Sequence, residues 1–522
     1  MFSNIEKINK YLLPLFSFLL IVSIYLYKLG QIPYGIFCDE AKIAYEAYLL
    51  IHQNVVSDFI NPLFYHHFDY VFGTLPIYAT VPFIELFGLN DFSTRLASVV
   101  FAISSLILIY SILGLLGSRF RLLAVLLFAL TPIFFHVSRT NFGQLPSLFF
   151  VLLGYYLYLV CKTRKSYIIA VLSGLSFGLA AYGPAGWVVG VLLFLFVIII
   201  SELVEHRLNW KKYIQVPIVL IVVAIVYIPI VYFTITDPGY TQRLADKNEG
   251  SPPFASVEKI QTMIGNYPKY YSYPFLFTTA TIDSGEKISR HSIRGNGFFL
   301  QVSALFLLLA LLAFLVNKDK ERIKYLPFIL LFLLYPFSDL LTTKDGSPPY
   351  LFSIFTTIYF LPFLSAYGLD FLMKMLSRRH VEKNITLLLM VFLIAIQAGT
   401  FLENYSKYPL YSSDYWGWQY GPKEIVQFFL KEKSNYDELY MTKLFNRADS
   451  LLEFYDPSKE CQNCFIGGVS NYDPAKNQLF AFRVGQMSGI INENPDLVFR
   501  RIHTVFLPNG KAEYYIGYFI SK

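Results

Sequence analysis

Apolar runs separated by short polar segments dominate the first four hundred positions of the 522-residue chain. A helix needs about 20 apolar residues to cross a bilayer. Eleven runs fit: approximately 11–29, 95–116, 120–137, 145–161, 166–182, 185–201, 213–234, 298–316, 325–341, 350–370 and 385–402. The first follows Lys7 and Lys10 and lacks a small-residue cleavage site, so it is expected to be a retained helix. After residue 402 the pattern changes. Gly421–Lys433 has helical spacing, with Ile425, Val426, Phe429 and Leu430 on one face. Asp437–Lys443 and Gln478–Val484 read as strands. Arg501–Leu507 and Ala512–Ser521 flank Pro508-Asn509-Gly510 as arms of a hairpin. The expected architecture is a polytopic α-helical membrane protein of about eleven transmembrane helices, residues 1–402, followed by a small α/β domain, residues 403–522. No tandem repeat is evident.

Lysine and arginine orient the bundle. With the N-terminus in the cytoplasm, the cytoplasmic segments hold eighteen Lys and Arg, whereas the three short outer loops hold only Arg139 and Lys344. One run is ambiguous: 71–88 is apolar but contains Gly73, Pro76, Pro82 and Glu85. Counting it as a span would invert every later loop, so it reads as a re-entrant or interfacial piece. Loops 30–94 and 235–297 and the C-terminal domain then all face outward, and the protein is expected in the plasma (inner) membrane.

Composition agrees. The chain is 55% hydrophobic and only 15% charged, with a mean hydropathy of +0.47. A soluble domain carries about 25% charged residues, which excludes an ordinary soluble enzyme and a disordered chain. The net charge of +7 is spread in small groups between apolar runs, not clustered as a nucleic-acid binder requires. Four cysteines make no disulfide framework. Cys461-x-x-Cys464 reads as a local disulfide or as two plain thiols.

The first outer loop carries the candidate chemistry. In GQIPYGIFCDEAKIAYEAYLLIHQ, Ala44, Ala47, Tyr48 and Ile51 recur at helical spacing, which predicts an amphipathic helix lying in the membrane interface. Asp39 and Glu40 stand at its start. Asp39 could simply cap the helix, although the capping-box partner three residues on is Lys42. Alternatively, a carboxylate at the membrane surface can accept a proton from a hydroxyl as that hydroxyl attacks an electrophile. One acid would be the base and the other would orient it or bind substrate.

Pro33-x-Gly35, CDEAKIAYEAY and LFGLNDFSTRLASVV, in that order, resemble the lipid-linked-sugar glycosyltransferases of the GT-C type. The likeness is to glycosyltransferase family 39, which is protein O-mannosyltransferase-like and similar to the enzyme that adds aminoarabinose to lipid A. FLFTTATIDSGEKISRHSIRGNGFFL, PYLFSIFTTIYFLPFLSAYGLD and YWGWQYGPKEIVQFF continue the resemblance along the chain. It implies a transferase that takes a sugar from a polyprenyl-phosphate carrier on the outer face, without cofactor or metal, and gives it to a protein, lipid or polysaccharide. It assigns Asp39 the role of general base for an inverting displacement and makes Glu40 the second acid.

Departure of a lipid phosphate needs cations where charge accumulates. Arg290, His291 and Arg294 lie just before the eighth span and could bind that phosphate or ordinary lipid headgroups. Lys344 is the only cation in TTKDGSPPY, where many relatives carry His or Arg. Arg95 could reach the phosphate or pair with Asp91. His66, His67 and Asp69 could hold a metal, though adjacent histidines diverge. Tyrosines in 266–275 could stack on sugars or mark the membrane interface. The rival functions are a transporter or flippase of lipid-linked sugars, and a membrane-anchored binding protein. Near charge-free span centres argue against ion-coupled transport.

Overall fold

A computed structural model describes residues 2–52, 58–68, 70–206, 215–237, 257–279, 290–318, 321–340, 354–378, 383–415 and 417–522. Helix α1 (Phe2–Leu26) leads to α2 (Cys38–His52), a three-stranded antiparallel sheet of β1 (Phe59–Asn61), β2 (Phe64–His67) and β3 (Tyr70–Gly73), and α3 (Leu75–Phe87). The bundle continues through α4 (Asp91–Leu116), α5 (Arg121–Ala129), α6 (Pro132–Ser138), α7 (Gln144–Arg164), α8 (Tyr167–Ala180), α9 (Gly186–His206) and α10 (Gln215–Thr236). It then runs through α11 (Val257–Asn266), α12 (Val302–Val316), α13 (Leu326–Leu334), α14 (Phe360–Arg378) and α15 (Lys383–Ser406). The ends follow local chemistry. Asn90 opens α4 by accepting from the Phe92 and Ser93 amides, with Ser93 completing the capping box, and Gly117 closes it in the left-handed region.

Each of the eleven expected spans overlaps helix among the described residues. Among the described residues, α4, α7, α9, α10 and α15 are long and apolar enough to cross a membrane, and α5 with α6 makes a sixth if the pair counts as one span. Those two are bent by 66° where Pro132 starts a new helix. The apolar parts of α1, α8 and α12 are shorter. The ambiguous run 71–88 forms the end of β3 and then α3, whose 13 residues reach about 20 Å, short of a 30 Å hydrocarbon core.

The C-terminal region is α/β. Helix α16 (Pro422–Glu432), β4 (Glu438–Thr442), α17 (Ala448–Tyr455), β5 (Cys464–Gly467), β6 (Gln478–Arg483), β7 (Leu497–Phe506) and β8 (Ala512–Ser521) build a five-stranded mixed sheet ordered β5-β4-β6-β8-β7. The expected helix, strands and hairpin are all present. Cys461 and Cys464 form a disulfide.

This region covers α2. Ile36, Ala41, Ala44 and Ala47 share one core with Ile77 and Ile84 of α3 and with Ile425, Phe429, Leu451 and Phe454 of the C-terminal region. Helix α2 is therefore enclosed in this shared core, with most of its residues buried, and does not present an apolar face outward as its amphipathic spacing predicted. Its Lys42 is buried as well, paired with Glu46 at 2.8 Å and with Asp58.

Candidate active site

Two elements converge on Asp39. The first is the start of α2, where the Phe37 carbonyl accepts the first helical hydrogen bond, from the Ala41 amide at 3.0 Å. Phe37 is thus the capping position, and Asp39 lies inside the first turn. Capping by Asp39 is corrected: Glu40 reaches back to the Phe37 amide at 3.3 Å, as the third residue of a capping box does. The Asp39 side chain stays 36% exposed, at the positive end of the helix dipole.

The second element is the β2–β3 hairpin, in register Tyr65 with Phe72 and His67 with Tyr70. Strand alternation puts Tyr65 and His67 on one face and His66 on the other; His66 is exposed and His67 buried. His67 Nε2 lies 3.0 Å from Asp39 Oδ1, and its Nδ1 lies 2.9 Å from the Tyr65 hydroxyl. Burial, reinforced by Asp39, Glu46 and Asp58, pushes the Tyr65 phenol well above its ordinary value, so it keeps its proton. The two histidines face opposite ways as candidate metal ligands, and Asp69 lies outside the described residues.

Glu40 turns inward instead, with 0% of its side chain exposed. Its Oε1 accepts from Arg95 Nε at 3.1 Å and from the Asn141 amide at 2.9 Å, and its Oε2 accepts from Arg95 Nη2 at 3.0 Å. Arg95 is equally buried. Its remaining N–H groups go to the carbonyls of Pro33 at 2.7 Å, Gly35 at 2.5 Å and Leu29 at 3.4 Å. All five donors are engaged, so phosphate binding by Arg95 is corrected: it ties the 29–35 turn to α2. Nor does it form its expected pair with Asp91, which lies 2.9 Å from Lys423 of α16.

Arg139 has a comparable structural task. Its guanidinium donates to the carbonyls of Ile24, Tyr25, Tyr27 and Ile32 at 2.5–3.3 Å, closing the C-terminus of α1. The Ser138–Gln144 loop therefore holds both α1, through Arg139, and α2, through the Asn141 amide.

Arg290 does approach the acidic end of α2. Its guanidinium sits 3.5 Å from the Phe37 ring centre, and Nε donates to the Gly417 carbonyl at 3.1 Å. Its own carbonyl takes bonds from the Tyr408 hydroxyl at 2.6 Å and from His136 Nε2 at 2.9 Å. Arg447, just before α17, lies 4.8 Å from the Phe68 ring. Both cations act on the neighbouring Cys38 thiol, which burial and then Asp39 nevertheless raise well above its ordinary value. Arg290 and Arg447 thus stand within electrostatic reach of Cys38, the first residue of α2. His291 is different. Burial, then Arg290 and His136, hold it well below its ordinary value, so it is neutral and adds no positive charge. Exposed Arg294 lies 4.3 Å from the Tyr411 ring. Lys344 lies outside the described residues. Within 266–275, Tyr270 donates to Asp339 at 2.7 Å and Tyr271 to the Leu333 carbonyl at 2.8 Å inside the fold, whereas Tyr273 is exposed.

Sequence reasoning raised His67 only as a metal candidate and missed Tyr65, Asn141 and Arg447. The one available signal was Tyr65-x-His67 at strand spacing.

Residues 75–233 match the family described as dolichyl-phosphate-mannose-protein mannosyltransferase. The match begins after Asp39 and Glu40 and includes Arg95 and Arg139. Among solved structures, ArnT from Cupriavidus metallidurans bound to undecaprenyl phosphate is similar over 98% of both chains, at 12% identity and a TM-score of 0.56. This chain has the GT-C fold. ArnT in its apo state shares that fold at 12% identity, with 96% of both chains covered and a TM-score of 0.52. So does the archaeal oligosaccharyltransferase AglB from Archaeoglobus fulgidus, in complex with an inhibitory peptide and a dolichol-phosphate. It gives 11% identity, 97% coverage of this chain, 74% of that chain and a TM-score of 0.50. No curated protein matches the chain. The resemblance to GT-C glycosyltransferases of the family 39 kind thus holds.

Proposed function

We propose that this protein is a membrane glycosyltransferase that moves a sugar from a polyprenyl-phosphate donor to an acceptor hydroxyl on the outer face, with inversion. One observation carries the reading. Asp39 is a partly exposed carboxylate held by His67, and it follows Phe37 and Cys38, of which the first stacks on Arg290 and the second feels its charge, where the first loop, the segment before α12 and the C-terminal region meet. In the proposed step the acceptor oxygen bonds to the anomeric carbon as Asp39 takes its proton. The bond from that carbon to the phosphate oxygen breaks, and polyprenyl phosphate leaves with the electron pair. Arg290 and Arg294 offset the charge that gathers on it. Glu40, saturated by Arg95 and two backbone amides, anchors the helix that carries the base.

The N-terminus is proposed to be cytoplasmic, with residues 1–402 as the transmembrane part and 403–522 extracytoplasmic, in the plasma (inner) membrane. The Cys461–Cys464 disulfide supports this side for the C-terminal region, because disulfides persist in oxidising compartments. The burial of loop residues and C-terminal residues in one core supports a common side for both. A panel of labelled sugars on undecaprenyl and dolichyl phosphate, with a membrane extract as acceptor source, tests the reading. Transfer by the wild type supports it; donor-dependent lipid movement without transfer would replace it with a flippase.

A further inference from the structure

We propose that His67 and Tyr65 form a positioning pair for Asp39, in which Tyr65 selects the His67 tautomer that donates to the carboxylate. The inference rests on the reading of Asp39 as the base. An ionised carboxylate only accepts hydrogen bonds, so the 3.0 Å contact requires the proton on His67 Nε2. A neutral imidazole then offers only a lone pair at Nδ1, and the Tyr65 hydroxyl, 2.9 Å away, donates to it. The buried Tyr65 keeps that proton. The imidazole ring is also wedged, with the Phe68 ring centre at 4.7 Å and that of Phe72 at 5.0 Å. Asp39 sits at the surface, where a carboxylate would otherwise turn among rotamers. Holding Oδ1 on His67 fixes the carboxylate plane, and with it the direction from which the acceptor proton arrives. His67 keeps its own proton through the step.

Other charged or titratable groups also face this end of α2. Cys38 lies on the helix itself, Arg290 comes from the segment before α12, and Arg447 comes from the C-terminal region. Asp58, ahead of β1, and Glu46 act on Tyr65. The Cys38 thiol also lies 4.0 Å from Asp39 Oδ1, but a thiol is a weak donor; the 3.0 Å contact from His67 is the stronger, so its loss removes stabilisation of the ionised carboxylate and makes Asp39 a weaker acid.

The experiment compares wild type with His67→Ala, His67→Gln, Tyr65→Phe and Asp39→Asn in the labelled-donor transfer assay across pH. His67→Ala should lower kcat about 10–100-fold, as loss of an outer-layer partner typically does, with little change in the donor KM. It should also move the acidic limb of the pH profile upward. His67→Gln, which retains an N–H donor, should recover much of both effects, and Tyr65→Phe should shift the limb in the same direction by less. An unmoved limb in His67→Ala, or no recovery by His67→Gln, overturns the positioning pair while an inactive Asp39→Asn leaves the base intact. Near-wild-type transfer by Asp39→Asn overturns the base itself.

Discussion

Replacing Glu40 by alanine tests whether the second acid of the pair is an anchor. The substitution removes acceptors for four donors: Arg95 Nε, Arg95 Nη2, and the amides of Asn141 and Phe37. It also strands the Arg95 charge, which is fully buried. Breaking a buried ion pair from one side costs about 3–5 kcal/mol, most of it from the charge left behind. Arg95→Ala strands Glu40 in the same way, so it should cost about as much. Each single change already abolishes the pair, so the double variant should fall short of the summed cost by at least about 2 kcal/mol. The assay is denaturant or thermal unfolding in detergent for the wild type, both singles and the double. Singles within about 0.5 kcal/mol of the wild type, or an additive double, would refute the anchoring role. So would a Glu40→Gln protein that unfolds like the wild type yet transfers no sugar, which would return Glu40 to the chemistry.

Two further outcomes follow from the same geometry. Arg290→Ala should reduce donor transfer about 100-fold, with Arg290→Lys in between because it keeps the charge but loses the planar fork; an unchanged donor kcat/KM would remove Arg290 from the phosphate site. Burial pushes Glu46 up to about 7 against the opposing pull of Lys42. An acid raised above its unfolded value of 4.5 binds its proton more tightly in the folded state, so its stabilising contribution is full below about 4.5 and is lost as pH rises towards 7. Tm should therefore decline over that window in the wild type and decline less in Glu46→Gln; parallel curves would show that Glu46 does not titrate there.

Most of the scaffold could be read from periodicity, because helices and strands that bury one face leave that face in the sequence. Apart from α11, which lies in the expected loop 235–297, the bundle helices, α16 and the terminal hairpin overlap the positions where the spacing placed them. The breaks were harder. Pro132 splits one expected span into two helices, although the apolar run passes through it without interruption. Helix α2 was misjudged because its two covers come from elsewhere in the chain: α3 and, some four hundred residues later, α17, both in the same core. The same distance problem governs the site. Asp39 and Glu40 are adjacent and chemically equivalent in the sequence, and about 100° of helical rotation separates them in the fold. One side chain faces His67 at the surface, and the other meets an arginine 55 residues away. The cap was misplaced because Phe37 offers no side-chain capping group, so the helix start carried no polar signal. Arg95 could be read as a phosphate ligand because an isolated arginine beside an outer loop gives no sign of the backbone carbonyls that engage it.

The most direct measurement is transfer of labelled sugar from undecaprenyl- and dolichyl-phosphate donors by purified wild type and Asp39→Asn. Unfolding in detergent should be matched between the two. Removal of a general base typically costs about 10²–10⁴-fold. The expected result is transfer by the wild type and a loss of that size in Asp39→Asn. Comparable transfer by both proteins would contradict the assignment of Asp39 as the base.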